Sequence, residues 1–231
     1  MLETAPPQER PDRVGEFFSK FAGSWDSLYG AKRNVLWRLI DDLFRRDIYE
    51  RYQLTFAELG KDLSGKALID VGCGSGVYCF EAAKRGASRV VGLDVSEGMI
   101  ALARSEAAAS PVRRSCEFAC SAFPPATTSD VIKEKFDDAI VMGVMDYVAD
   151  ATEFLSRLRP LVSDRVMVSF PGRHWLRAPL RSYRYKLLGR CAIYTYDQKE
   201  IENAFASAGF NSFTVKRLNH SGICYFVTGR C

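Results

Sequence analysis

Ala67-Leu68-Ile69-Asp70-Val71-Gly72-Cys73-Gly74-Ser75-Gly76-Val77 decides how the rest of this 231-residue chain is read. Residues 67–71 form a short apolar run between Gly65 and Gly72 and predict a buried strand, while 77–85 carry helical spacing. The three alternating glycines between them permit a close approach of backbone to ligand that a Cβ would forbid. Asp70 sets the sign of that ligand. A carboxylate opening the loop repels a pyrophosphate but accepts hydrogen bonds from an ammonium group. The spacing also departs from the dinucleotide fingerprint Gly-x-Gly-x-x-Gly, which would need a glycine where Val77 stands. An NAD-dependent oxidoreductase therefore ranks behind the other readings.

Outward from this loop, strands and helices alternate. Residues 88–93 predict a second strand, 97–109 a helix capped by Ser96, 116–119 a third strand and 137–142 a fourth. A helix over 151–161, a fifth strand over 165–170 and a helix over 197–208, stopped by Gly209, follow. Alternation of this kind needs crossovers, so it predicts a parallel sheet covered by helices on both faces. Residues 213–218 and 223–228 break the rule: two strands joined by a tight turn run antiparallel, so the seventh inserts into an otherwise parallel sheet. Upstream, Phe17, Phe18 and Phe21 mark one helix, 24–30 a break, and Leu36, Leu39, Ile40, Leu43, Phe44 and Ile48 a longer helix. The expected organisation is a flexible tail over 1–13, which holds Pro6, Pro7 and Pro11, and a single α/β domain over 14–231. Within that domain 14–60 form a helical cap, 61–231 a Rossmann-like core, and 172–196 a lid insertion.

Composition narrows the classes. With 47% hydrophobic and 26% charged residues the chain suits one packed core, and no run of about 18 apolar residues provides a membrane span. No apolar segment follows the tail as a targeting peptide would require. Seven cysteines, an odd number without framework spacing, point to a reducing compartment, and the expected location is cytoplasmic. Neither Cys73 with Cys79 nor Cys116 with Cys120 has a neighbouring ligand cluster, so no metal is expected. No base-stacking motif appears, so nucleic acid is not an expected partner. The oligomeric state stays open.

Asp94 ends the second strand in Val91-Gly92-Leu93-Asp94-Val95-Ser96, at the next strand-to-helix corner, where a carboxylate can hold both hydroxyls of a ribose. In order, the acidic residue, the Gly-x-Gly-x-Gly loop and the second-strand acid resemble the class I S-adenosylmethionine-dependent methyltransferases over roughly residues 65–230. The resemblance implies a seven-stranded sheet of order 3-2-1-4-5-7-6, with S-adenosylmethionine lying across the carboxyl ends of strands one, two and four and S-adenosylhomocysteine as product. It implies that Asp70, Gly72, Cys73 and Gly74 bind the methionine moiety, that Asp94 binds the ribose, and that Val95 and Met99 flank the adenine. For Met99 plain helix packing fits as well. The acid that often holds the adenine amino group after strand three is replaced by Ala119-Cys120-Ser121-Ala122, leaving Ser121 as a candidate contact. Met142-Gly143-Val144-Met145-Asp146-Tyr147 also resembles this class at the position facing the transferred methyl, which makes Met142 a candidate cofactor contact. That stretch lacks the Asn/Asp-Pro-Pro-Tyr signature of amino-methyltransferases acting on nucleic acid or protein amides.

For the acceptor, 172–196 is the informative stretch. Arg173, Arg177, Arg181, Arg184, Lys186 and Arg190 stand there with His174 and without an acid, and together exceed the chain's net charge of +4. Arg177, Arg181 and Arg184 would share one helix face, and Leu176, Leu180, Tyr183 and Leu187 the opposite one. Such a face is compatible with plain solvation or an anionic membrane surface. Above strands four and five it also suits a small anionic acceptor held by Arg173, Arg177 and Arg181. Tyr29, beside Gly30, is a candidate cofactor contact, with Trp25 and Trp37 in the opposite wall. The stretch 17–29 resembles the cap of small-molecule methyltransferases, including those acting on a porphyrin carboxylate. Methyl transfer is an in-line displacement that chiefly needs alignment. A carboxylate acceptor needs no base; a hydroxyl does, and His174 and Tyr147 are the candidate catalytic residues for it. The remaining alternatives are a binding protein that lost turnover and one that docks on RNA or membrane.

Overall fold

In the computed structural model, β1 (Ala67–Val71) pairs in parallel with β2 (Arg89–Asp94) on one side and with β4 (Phe136–Val141) on the other. β3 (Cys116–Cys120) continues the sheet beyond β2, and β5 (Val162–Phe170) continues it beyond β4, both parallel. β7 (Tyr225–Arg230) then pairs antiparallel with β5, and β6 (Ser212–Arg217) antiparallel with β7. The order of the seven strands is β3-β2-β1-β4-β5-β7-β6, as the resemblance implies. The structure describes residues 15, 35–125, 132, 134–173, 194–219 and 224–231, with the backbone alone for 35–46.

Five α-helices cover the sheet among these residues: α1 (Val35–Leu59), α2 (Val77–Lys84), α3 (Glu97–Ala108), α4 (Ala151–Leu158) and α5 (Gln198–Ser207). Because side chains alternate across a strand, each strand feeds two cores. Leu68, Val90, Ile140 and Met167 pack with Phe56 and Leu59 of α1, Cys79 and Ala82 of α2 and Ile100 of α3. Ile69, Val91, Ala139 and Val166 point the other way, to Leu155 and Leu158 of α4 and Ile201 and Phe205 of α5. Burial on both faces explains why the inner strands read as near-continuous apolar runs. The helix starts follow side-chain chemistry: Ser96 accepts from the Met99 N–H, and Asp197 and Glu200 form a reciprocal capping box at α5.

Three elements differ most in extent from their sequence reading. α1 runs on to Leu59, eleven residues past Ile48, the last apolar position of the expected stripe. Its final carbonyls are taken by arginines from elsewhere in the fold, Phe56 and Gly60 by Arg85 and Glu58 by Arg165, which the local pattern does not show. The helix expected over 151–161 gives way after Leu158 to a 3-10 turn, Arg159–Leu161, around Pro160, and β5 accordingly begins three residues early. The tail over 1–13 and most of the 172–196 insertion lie outside the described residues. Within them no helix is long and apolar enough to cross a membrane.

Candidate functional site

The register of β1 places Asp70 beside Gly92 of β2 and Ile140 of β4, at the carboxyl edge of the sheet. Asp70 is 1% exposed, and its carboxylate accepts a hydrogen bond from the Cys79 thiol at 3.4 Å. No cationic side chain pairs with it among the described residues. Burial pushes its pKa up to about 7; the Cys79 thiol pulls the other way, and the charge of Asp94 adds to the rise.

The glycine loop is stitched to the second strand. The amides of Gly72 and Cys73 both donate to the Leu93 carbonyl, at 2.7 and 2.9 Å. Asp94 completes the seam: one carboxylate oxygen accepts from the Gly74 amide at 2.9 Å and the other from Ser96 at 2.8 Å. Burial raises the Asp94 pKa, opposed by the backbone N–H groups of Ser96, Gly74 and Val95. Gly72 (φ 76°) and Gly74 (φ 53°) hold left-handed conformations. They serve different ends. A Cβ on Gly72 would run into Val144 after β4, whereas one on Gly74 would meet nothing within 4 Å. A buried carboxylate with no cationic partner among the described residues, a second carboxylate fixed on the glycine loop and open space at Gly74 suit a ligand with a cationic amino end and a ribose.

At the corner after β2, Val95 is half-buried and Met99 buried. Gly15, the one described residue ahead of α1, is buried, and a Cβ on it would meet the Val95 carbonyl, so this residue packs against the corner. Ser121, half-buried, is tied to the same corner by its amide, which donates to the Asp94 carbonyl at 2.9 Å. Its hydroxyl donates to the Ala122 carbonyl at 2.9 Å, leaving the oxygen lone pairs to accept from an amino group. After β4, Met142 and Tyr147 are both half-buried, with Tyr147 in a 3-10 turn, Met145–Tyr147. Asp70, Gly72, Cys73, Gly74, Asp94, Val95, Ser121 and Met142 thus lie at neighbouring strand ends. Tyr29, His174, Arg177 and Arg181 lie outside the described residues. Arg173 is half-exposed and engaged by Asp197 at 3.3 Å and Glu200 at 2.7 Å, at the start of α5.

Arg51 and Ser169 escape the sequence reading. Arg51, from α1, is half-buried; its Nε donates to the Asp47 carbonyl at 3.2 Å and its Nη1 to Ser169 Oγ at 3.4 Å. The same Ser169 oxygen accepts from the Gly143 amide at 2.9 Å. A cationic group therefore reaches the carboxyl ends of β4 and β5. The helix that brings it is held by the rings of Tyr52, Phe56 and Tyr78, with centroids 4.8 to 5.9 Å apart, and by Glu50, which accepts from Asn219. Only the continuation of helical spacing past Ile48, through Tyr52 and Phe56, could have flagged this segment. The insertion is closed at its base beside the same corner: the Arg173 amide donates to the Tyr196 carbonyl at 3.2 Å, and the Tyr194 amide to the Asp146 carbonyl at 2.9 Å.

A family model described as a methyltransferase domain matches residues 62–209. The chain is 33% identical over 116 residues to a ubiquinone biosynthesis O-methyltransferase of Nitrobacter winogradskyi, covering 49% of this chain and 41% of that protein. With the protein of the same description from Rhodopseudomonas palustris (strain HaA2) it shares 32% over 177 residues, 73% of this chain and 65% of the relative. The chain spans about half the length of most of the curated relatives it matches. Among solved structures, magnesium protoporphyrin IX methyltransferase from Synechocystis PCC 6803 with bound SAM superposes with a TM-score of 0.67 at 18% identity, over 99% of both chains.

Proposed function

The chain belongs to the class I S-adenosylmethionine-dependent methyltransferase family, and from that premise we propose that it moves a methyl group from S-adenosylmethionine to an oxygen of a small anionic acceptor. The observation that carries the cofactor half is the pairing of opposite charges at one strand edge. Asp70 is buried with no cation beside it among the described residues, and Arg51 reaches the neighbouring strand ends as a cation. An amino-acid end is a zwitterion. Asp70 accepts from its ammonium and Arg51 donates to its carboxylate, each interaction being charge-assisted. The Asp94 carboxylate, held by backbone amides on both oxygens, keeps lone-pair capacity for a ribose hydroxyl. Val95, Met99 and Ser121 surround the adenine, and Cys73 and Gly74 let the backbone approach closely.

The sulfonium-bound methyl of the cofactor supplies the electrophile. What the chain adds is alignment: Met142 and Gly143 form the wall after β4, and Arg177 and Arg181 belong to an insertion whose described base is bonded beside that wall through Tyr194 and Asp146. An acceptor carboxylate arrives already ionised and needs no base. For a hydroxyl acceptor, Tyr147 or His174 would take the proton. Of the described residues ahead of β1, Gly15 and Arg51 supply the opposite wall. The relatives' description as ubiquinone biosynthesis O-methyltransferases supports oxygen as the methylated atom.

The test is a screen of carboxylated, phenolic and phosphorylated small molecules for release of S-adenosylhomocysteine. Turnover with an acidic acceptor is expected, and Arg177→Ala with Arg181→Ala should raise its KM by about tenfold or more. Turnover confined to neutral acceptors, with KM unmoved by those changes, would sink the anionic reading.

A further inference from the structure

Ser169 is the one hydroxyl in the buried second half of β5, among Val166, Met167, Val168 and Phe170, and it is 3% exposed. A polar atom there costs stability unless it is bonded. Its two partners belong to different parts of the molecule, the Gly143 amide to the turn after β4 and the Arg51 guanidinium to the helix that precedes β1. By strand alternation Ser169 shares the face of Met167, which packs in the same core as Leu68, two residues before Asp70. The hydroxyl, Asp70 and Arg51 thus lie on one side of the sheet edge.

We infer that Ser169 is a positioning residue that aims the Arg51 guanidinium at the carboxylate of the cofactor's amino-acid end and ties it to the Met142–Gly143 corner. The inference rests on the reading of Asp70 and Arg51 as the two halves of a zwitterion site. The guanidinium is a rigid planar fork. With Nε on the Asp47 carbonyl and Nη1 on Ser169, its plane is set, and Nη2 makes no hydrogen bond among the described residues. Both lone pairs of the Ser169 oxygen are occupied by donors, so its proton turns away from the amide and the guanidinium. At 3.4 Å the Arg51 bond is long for a charged pair, which aims the group while leaving it free to settle on a ligand. Gly143, with φ 79°, has its amide fixed by the same oxygen, so the corner and the guanidinium share one anchor.

Calorimetric titration of the full chain with S-adenosylhomocysteine, and with 5′-methylthioadenosine, which lacks the amino-acid end, separates the possibilities. Ser169→Ala should weaken S-adenosylhomocysteine about tenfold and leave methylthioadenosine within about twofold. Ser169→Thr, which keeps the hydroxyl, should recover affinity to within about threefold of the parent. Arg51→Gln combined with Ser169→Ala should bind no more weakly than Arg51→Gln alone, because both act through one group. If the alanine variant does not fold, Ser169→Thr against the isosteric Ser169→Val makes the same comparison. Equal loss for both nucleosides, additive losses with Arg51, or unchanged S-adenosylhomocysteine affinity with a raised acceptor KM each overturn the assignment. A parent protein that binds neither nucleoside overturns the zwitterion reading with it, whereas parental binding with an unaffected Ser169→Ala overturns the role of Ser169 alone.

Discussion

Asp70 is a buried acid whose ionisation is held back to near neutral pH. Its pKa of about 7 comes from burial first, so an ammonium beside it must expel a proton at lower pH. Binding favours the deprotonated form, so affinity for S-adenosylhomocysteine should fall about tenfold per pH unit below pH 7 and level off above it. The same shift acts on stability. Between roughly pH 4 and 7 the folded protein holds a proton that the unfolded chain has lost, so the ligand-free protein loses stability as pH rises through that window. Asp70→Asn should abolish the affinity trend and reduce the stability trend, to which the raised pKa of Asp94 also contributes, as calorimetry and denaturant titration across pH 5 to 8.5 would register; a parallel affinity profile in that variant would show that another group is responsible. Gly72 carries a different constraint. Alanine there meets Val144 and a left-handed backbone, so Gly72→Ala should cost about 2 kcal/mol or more of stability, whereas Gly74→Ala faces only the backbone strain, with no atom within 4 Å of its Cβ. Denaturation midpoints distinguish the two; the open space predicts that Gly74→Ala falls mainly on ligand affinity.

At the scale of elements, α1 acquires its function through its fastenings. Its own stripe explains a helix, but the reach of Arg51 depends on where the helix is held, and Arg85 does much of that holding. Its guanidinium takes the Phe56 and Gly60 carbonyls at 3.1 and 2.8 Å and sits 4.5 Å from the Phe56 ring centroid. Arg85→Ala should therefore destabilise by about 1–3 kcal/mol and also weaken S-adenosylhomocysteine, although residue 85 is nowhere near the ligand. A stability loss of that size with parental ligand affinity would show that the tail of α1 is not what places Arg51. The short helix α3 behaves more locally. Ser96→Ala removes its cap and should cost about 1 kcal/mol, measurable in urea.

For the molecule as a whole, the sheet is anchored at its amino half by a charge cluster remote from the glycine loop. Asp138 is fully buried and takes Arg165 through both oxygens, at 2.8 and 3.2 Å, with Lys66 at 3.3 Å. Asp164 joins Lys66, Arg165 and Arg230, so the cluster clamps β4, β5 and β7 together. Asp138→Asn leaves the Arg165 guanidinium only the part-exposed Asp164 as carboxylate partner and should cost about 2–4 kcal/mol, with the affinity of the folded fraction for S-adenosylhomocysteine within about twofold of parental. A large affinity loss in that variant would mean that the two ends of the sheet are coupled. The sequence by itself determined the strand and helix order, the antiparallel last strand and the glycine loop with its two acids. Those follow from period, turn chemistry and local spacing, and Ser96 and Asp197 declare their helices within four residues. Only the tertiary structure decided that Cys79 bonds Asp70, that Asp94 clamps Gly74, and that Arg51 meets Ser169 across 118 residues of chain. A charge placed by a helix crossing the sheet edge has no signature in its neighbours along the chain, because its partners are set by packing.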